Sequence, residues 1–194
     1  MMNEQQQTKL SRFLSLVLRH KPQAIGLSLD DNGWANVDDL LGKLNQYGKT
    51  INFETLNLLV ENNSKQRFVF NSDKSMIRAN QGHSIDIDLG YVAKPAEQVP
   101  VTLYHGTASR FVKSIFAAGA IEKMQRHHVH LSGDIETARA VGQRHGKWVV
   151  FAVDTQAMLD AGHQFYQADN GVWLTDSIPV SFIHKLDGAN DKSN

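Results

Sequence analysis

Leu10, Phe13, Leu14, Val17 and Leu18 recur at the interval of one helical face, while Arg12, Ser15 and Arg19 fall on the other. The first element therefore reads as an amphipathic helix over about Thr8–His20, stopped by Pro22. Asp31-Asn32-Gly33 is a turn signal. A short helix follows with Asn36 as N-cap and Asp39 in its first turn, burying Val37, Leu40, Leu41 and Leu44 and ending near Gly48. A third helix opens at Asn52 and presents Phe53, Leu56, Leu59 and Val60. Arg67–Phe70 and Ser75–Arg78 then read as two strands around Asn71-Ser72-Asp73. Helices followed by a β-ribbon suggest a winged helix, a module more often used to bind nucleic acid or a partner than to catalyse.

Residues 93–100 (Ala-Lys-Pro-Ala-Glu-Gln-Val-Pro) hold two of the four prolines and read as a linker. Beyond them, short strands and helices alternate. Val101–His105 reads as a strand and Ser109–Ala118 as a helix closed by Gly119. His128–Leu131 is a strand, and Asp134 caps a helix that runs through His145 to Gly146. Trp148–Val153, Val172–Thr175 and Ile178–Ile183 complete the strands. The expectation is an α+β chain with a first lobe over 1–92 and a second over 101–194, the polar tail from Asp187 being frayed.

Composition narrows the chemistry. The 194 residues include no cysteine, which excludes disulfides, thiolate zinc sites and a thiol nucleophile. Hydrophobic content of 41% and charged content of 21% are ordinary for a globular protein. Neither a signal peptide nor an apolar run long enough to span a bilayer stands out, so the default expectation is a cytoplasmic protein with no membrane partner. Net charge is zero, with ten basic and ten acidic residues in 1–90 and the same in 91–194. If the chain binds RNA, a few placed arginines must do so, with modest non-specific affinity.

Several clusters carry possible chemistry, each beside a plainer reading. Arg19-His20-Lys21 ends the first helix, where cations simply complement the helix dipole; alternatively Arg19 offers a planar fork to phosphate and His20 a proton near neutral pH. Lys65-Gln66-Arg67 is either a solvated strand entry or a place where Arg67 turns into a cleft to clamp phosphate. In Tyr104-His105-Gly106-Thr107 a glycine at a strand-to-helix turn permits close approach of a ligand. Arg126-His127-His128-Val129-His130-Leu131-Ser132 is the densest cluster; in a strand His128 and His130 share a face. Zinc on His-x-His is possible, but no third ligand nominates itself. His105-x-Thr107 and His130-x-Ser132 also match the paired motif of NAD-independent two-histidine phosphoesterases, although only 25 positions separate them. Gly171-Val172-Trp173-Leu174-Thr175 reads as a core strand.

Taken in order, these segments resemble the KptA-type, NAD-dependent RNA 2′-phosphotransferase family over nearly the whole chain. The carrying segments are Phe13–Pro22, Gly33-Trp34, Lys65–Phe68, Ile77–Ser84, Leu103–Thr107, Arg126–Ser132 and Asn170–Thr175. The resemblance implies a winged-helix RNA lobe followed by an ADP-ribosyltransferase-like lobe. It implies a catalytic set of Arg19, His20, Arg67 and Arg126, with NAD bound by His105, Gly106, Thr107, His128, His130 and Ser132 and no metal. The partners implied are NAD and a tRNA-like RNA carrying an internal 2′-phosphate, the residue of a splice junction; oligomeric state is not indicated.

The implied reaction has two steps. ADP-ribosylation of the RNA 2′-phosphate expels a neutral nicotinamide, so neither a base nor an acid is required and the protein's task is positioning. Transesterification by the 2″-hydroxyl then gives ADP-ribose 1″,2″-cyclic phosphate and 2′-hydroxyl RNA. Charge gathers on phosphate oxygens here, which arginines stabilise, and His20 is expected to handle a proton at the departing 2′-oxygen. Protein-modifying ADP-ribosyltransferases use a glutamate on a late strand; between Phe165 and Pro179 only Asp169 and Asp176 are acidic, which suits a phosphate acceptor. The alternative within this chemistry is ADP-ribosylation of terminal phosphates on nucleic acid, stopping after the first step.

Overall fold

In the computed structural model, which describes residues 3–63 and 65–186, the first helix starts a turn earlier than the apolar periodicity indicates. Helix α1 spans Glu4–Arg19, because Asn3 accepts from the Gln6 backbone and the Gln6 side chain accepts from the Asn3 backbone, a reciprocal cap. After it come β1 (Ala35–Asn36), α2 (Val37–Gln46), α3 (Phe53–Glu61), β2 (Phe68–Phe70) and β3 (Met76–Ala79). Asn36 and Asn52 cap α2 and α3 through the backbone N–H groups of Asp39 and Thr55, as the sequence indicates. The strands form an antiparallel sheet in the order β1-β3-β2, with Ala35 opposite Ile77 and Phe68 opposite Ala79.

Leu14, Val17 and Leu18 of α1 pack with Leu40, Leu44, Leu56, Phe68 and Ile77 in one apolar core. Each such leucine contributes roughly 1.5–3 kcal/mol by leaving water. Phe53, the first residue of α3, stays 42% exposed, its ring tilted against that of Phe70 with centroids 6.0 Å apart.

The chain divides into two compact units, with the change at Gly90 and Tyr91. The proline-bearing stretch 93–100 is not a free linker. The Lys94 N–H donates to Phe165 O, the Thr155 hydroxyl donates to Pro100 O, and Val99 enters the core of the second unit.

The second unit contains β4 (Thr102–Ala108), α4 (Ser109–Ala118), β5 (Ala120–Glu122), β6 (Val129–Leu131), α5 (Ile135–Gln143), β7 (Trp148–Asp154), α6 (Thr155–Asp160), β8 (Tyr166–Gln167), β9 (Trp173–Thr175), β10 (Ser177–Pro179) and β11 (Ile183–Leu186). These form antiparallel sheets in the orders β11-β7-β4, β6-β9-β8 and β10-β5. The single strand expected over Ile178–Ile183 is two strands. Pro179 has no N–H to donate and leads into a turn of 3-10 helix at Val180–Phe182, so β10 pairs with β5 while β11 pairs with β7. Helix α4 ends where expected, at Gly119 in the left-handed conformation. Phe151, Phe165, Leu103, Leu131, Met158 and Ile178 form this unit's core. Among the described residues no helix is long and apolar enough to cross a membrane.

Candidate active site

Helix α1 delivers Arg19 as its last residue and His20 as its C-cap, at the negative end of the helix dipole. Both line one open groove of about 730 Å³, and Arg67 lines it from the segment that precedes β2. The first unit thus brings together three of the four residues expected to be catalytic. Arg19 Nη2 donates to the Arg67 carbonyl at 3.2 Å, tying the end of α1 to the start of the ribbon. The groove end carries two half-buried guanidiniums and one exposed imidazole, which suits an anion with several oxygens.

Two asparagines hold Arg67, and neither stands out in the sequence. Asn63 Oδ1 accepts from the Lys65 N–H at 3.1 Å and from Arg67 Nη1 at 3.4 Å, while its amide donates to the Ser11 hydroxyl of α1 at 3.3 Å. Buried Asn80, just past β3, donates its side-chain amide to Gln66 O at 2.6 Å and its backbone N–H to Arg67 O at 2.9 Å. Between these anchors Gln66 sits at φ +41°, in the left-handed region. A non-glycine residue there costs on the order of 1–3 kcal/mol, held by surrounding bonds. The segment after Asn80 also returns to α1: the Ser84 N–H donates to Arg19 O at 3.0 Å, and the Ser84 hydroxyl meets His20 Nδ1 at 2.9 Å. Trp34 lies under the Arg78 guanidinium at 4.6 Å, and Arg78 donates to Leu89 O, so that pair braces the end of the ribbon.

In the second unit β4 and β6 meet end to side. Tyr104 and Ser132 exchange backbone hydrogen bonds at 2.9 Å in both directions, which fixes Ser132 beside the strand carrying His105, Gly106 and Thr107. His105 Nδ1 donates to His130 O at 3.1 Å. Burial pushes the His105 pKa below its usual 6.5, the carbonyl bond partly offsets this, and the positive charge of Arg126 adds to the depression. The neutral ring with its proton on Nδ1 leaves Nε2 as a hydrogen-bond acceptor. Exposed Arg126, in the turn between β5 and β6, donates from Nη1 to His130 Nδ1 at 3.1 Å. His130 therefore joins Arg126 through its ring and His105 through its carbonyl. His128 packs its ring against Tyr166 at 5.2 Å, and burial together with the nearby Asp176 raises the Tyr166 hydroxyl pKa.

Gly106 has a reason to be glycine that the sequence conceals. A Cβ there would lie 1.7 Å from the Ala138 carbonyl oxygen of α5, and one at Gly142 would lie 2.7 Å from the Thr107 carbonyl oxygen. Helix α5 and strand β4 approach backbone to backbone through these paired glycines, and this close approach buries Thr107.

The Tyr104–Ser132 bridge also bears on the paired His-x-Thr and His-x-Ser motifs. Continuing its register sets His105 across from Leu131, so His105 and His130 fall on alternate faces. That geometry disfavours two imidazoles acting on one phosphate. Nor does any group of three or more His, Cys, Asp or Glu among the described residues assemble to hold a metal ion.

Residues 5–177 match the model of the RNA 2′-phosphotransferase, Tpt1 / KptA family. A protein of Fusobacterium nucleatum named "Probable RNA 2′-phosphotransferase" is 51% identical over 177 residues, covering 90% of this chain and 96% of that one. One of the same name from Pseudomonas fluorescens is 51% identical over 179 residues, covering 91% and 95%. Another from Trichormus variabilis is 47% identical over 185 residues, covering 95% and 100%. A match of this extent, with the motif-bearing segments inside it, assigns the chain to a family of enzymes: it is a transferase of the RNA 2′-phosphotransferase, Tpt1 / KptA family.

Proposed function

We propose that this protein removes an internal 2′-phosphate from RNA by transferring it to NAD, giving 2′-hydroxyl RNA, ADP-ribose 1″,2″-cyclic phosphate and nicotinamide. The observation that carries the reading is the convergence of Arg19, His20 and Arg67 on one groove of the first unit. The Arg19 guanidinium is held by the Arg67 carbonyl and the Arg67 guanidinium by Asn63, while Asn80 holds the Gln66 and Arg67 backbone, so both forks are set in advance for a dianionic phosphate. Arg126, which the family resemblance adds to these three, belongs to the second unit. The order α1-β1-α2-α3-β2-β3, with its β1-β3-β2 sheet, supports a winged-helix RNA lobe over 1–92. The second lobe, over 101–194, is read as ADP-ribosyltransferase-like.

The residues expected to meet NAD fit a ribose-bearing co-substrate. Neutral His105 presents Nε2 to accept from a ribose hydroxyl, and Ser132 is pinned one strand away. Thr107 lies on β4 and His130 on β6, His128 immediately precedes β6, and Gly106 serves by shaping β4 against α5. NAD, when bound, supplies an electrophilic ribosyl carbon with a cationic leaving group. Arg19 and Arg67 hold the phosphate oxygens and take up the charge that gathers on them. In this reading His20, whose Nδ1 meets Ser84, gives a proton from Nε2 to the departing 2′-oxygen.

Nicotinamide release separates this reading from transfer to a terminal phosphate. Three RNAs are compared: one with an internal 2′-phosphate, one with only a 5′-phosphate, and one with neither. Rapid release with the first alone is expected. Equal or faster release with the 5′-phosphate would install the terminal-phosphate reading in its place.

A further inference from the structure

The groove is much larger than one phosphoryl group requires, and its chemistry continues along α1 beyond Arg19. Arg12 lies seven residues back, nearly two helical turns, so it falls on the same face about 10 Å along the axis. It lines the groove together with Ser11, Ser15, Asn63 and Lys65. The bracing of Arg67 and Gln66 does not require Arg12 or Ser15. Among the described residues no Phe, Tyr or Trp side chain lines the groove, and its aromatic ring is the His20 imidazole at the Arg19 end, so the stretch beyond that end has no ring on which a base could stack. It offers instead two exposed cations spaced from the Arg19 end, with hydroxyls and an amide between them. Glu4, at the far end, is the groove's acidic residue and sets a limit to an anionic strand.

We infer that this stretch of the groove binds the RNA backbone flanking the 2′-phosphate: Arg12 and Lys65 hold neighbouring phosphodiesters, and Ser11 and Ser15 meet 2′-hydroxyls. The inference rests on the phosphotransferase reading, since Arg19 and Arg67 fix where the 2′-phosphate sits. Its consequence is a substrate preference set by strand length and sugar rather than by sequence. Bonds to the backbone carry no base information, whereas bonds to the hydroxyls distinguish RNA from DNA. It also reconciles RNA binding with zero net charge, because the cations are concentrated along one face.

The test uses the full chain without NAD. Fluorescence anisotropy measures binding of a trinucleotide and a dodecanucleotide RNA, each with one internal 2′-phosphate, and of a dodecamer whose flanks are DNA, at several salt concentrations. The wild type should bind the RNA dodecamer at least ~10-fold more tightly than the trinucleotide or the DNA-flanked strand. In R12A/K65A the advantage over the trinucleotide should shrink to less than ~3-fold. The salt slope should fall by about 1.4, or about 0.7 for each single-strand phosphate that the variant no longer neutralises. R12Q/K65Q, which keeps both side chains long and polar, should behave alike, and thermal melts report whether each variant is folded. An unchanged length advantage or salt slope in both folded variants overturns the inference. Nicotinamide release by the wild type on the same RNAs reports separately on the phosphotransferase reading, so failure of one is distinguishable from failure of the other.

Discussion

Arg67 is useful only where its neighbours put it, and those neighbours act through bonds of ordinary length on a backbone that is strained. Removing the Asn80 amide releases the Gln66 carbonyl and, with it, the φ of +41° that aims the next residue. We predict that Asn80→Ala lowers kcat for 2′-phosphate removal by about 10–100-fold, in line with a misplaced clamp, whereas Gln66→Gly partly restores the double variant by relieving the strain. No restoration would mean that Asn80 serves the fold alone. Arg67→Lys should rescue only part of what Arg67→Ala loses, because an ammonium makes no bidentate fork; equal activity of Lys and Arg would contradict the clamp. His105 gives a pH dependence with a definite sign. Its folded pKa is depressed, so the unfolded chain binds more protons below the usual 6.5, and stability falls as pH drops through that region. The urea midpoint should decline from pH 7 to about 5, and more shallowly in His105→Asn, which keeps a donor for His130 O but does not titrate. Arg19, His20 and Arg67 are visible as residue types in the sequence. Asn63, Asn80 and Ser84 are not, since their importance lies in hydrogen bonds to positions distant along the chain, such as Ser84 with His20 and Asn63 with Ser11.

At the scale of elements, apolar periodicity locates α1, α2, α3, α4 and most longer strands, because each buries one regular face. It places the start of α1 too late, since the first turn is polar and held by a side-chain cap. Strands β5 and β8 and helix α6 span two to six residues and carry no legible period. Gly106 shows how a residue singled out in the sequence can have a packing reason that the sequence does not show. As a glycine before a helix it suggests room for a ligand; in the fold that room is filled by the α5 backbone. Gly106→Ala should therefore destabilise the second unit by ~3 kcal/mol or more, read as a lower urea midpoint, before any effect on NAD affinity can be measured. A variant of normal stability with a raised KM for NAD would instead restore the ligand reading. Gly142→Ala should have a similar cost, since its Cβ meets the Thr107 backbone from the other side.

The whole molecule divides its labour between two units of nearly equal length. The first holds the groove lined by Arg19, His20 and Arg67, and the second links His105, Arg126 and His130 by hydrogen bonds. Overall charge gives no hint of this, because acidic residues elsewhere cancel the groove's cations. Family membership is legible from the ordered set of motifs spread along the chain, no single one of which is decisive. The attachment of 93–100 to the second unit is not legible, because it depends on a carbonyl of Phe165, far along the chain from Lys94. The most direct test of the central claim follows one phosphorus atom. An RNA bearing a single radiolabelled internal 2′-phosphate is incubated with the protein, with and without NAD. The account predicts that label appears in ADP-ribose 1″,2″-cyclic phosphate only when NAD is present, leaving an unlabelled 2′-hydroxyl RNA. Label released without NAD, or retained on RNA throughout, would contradict it.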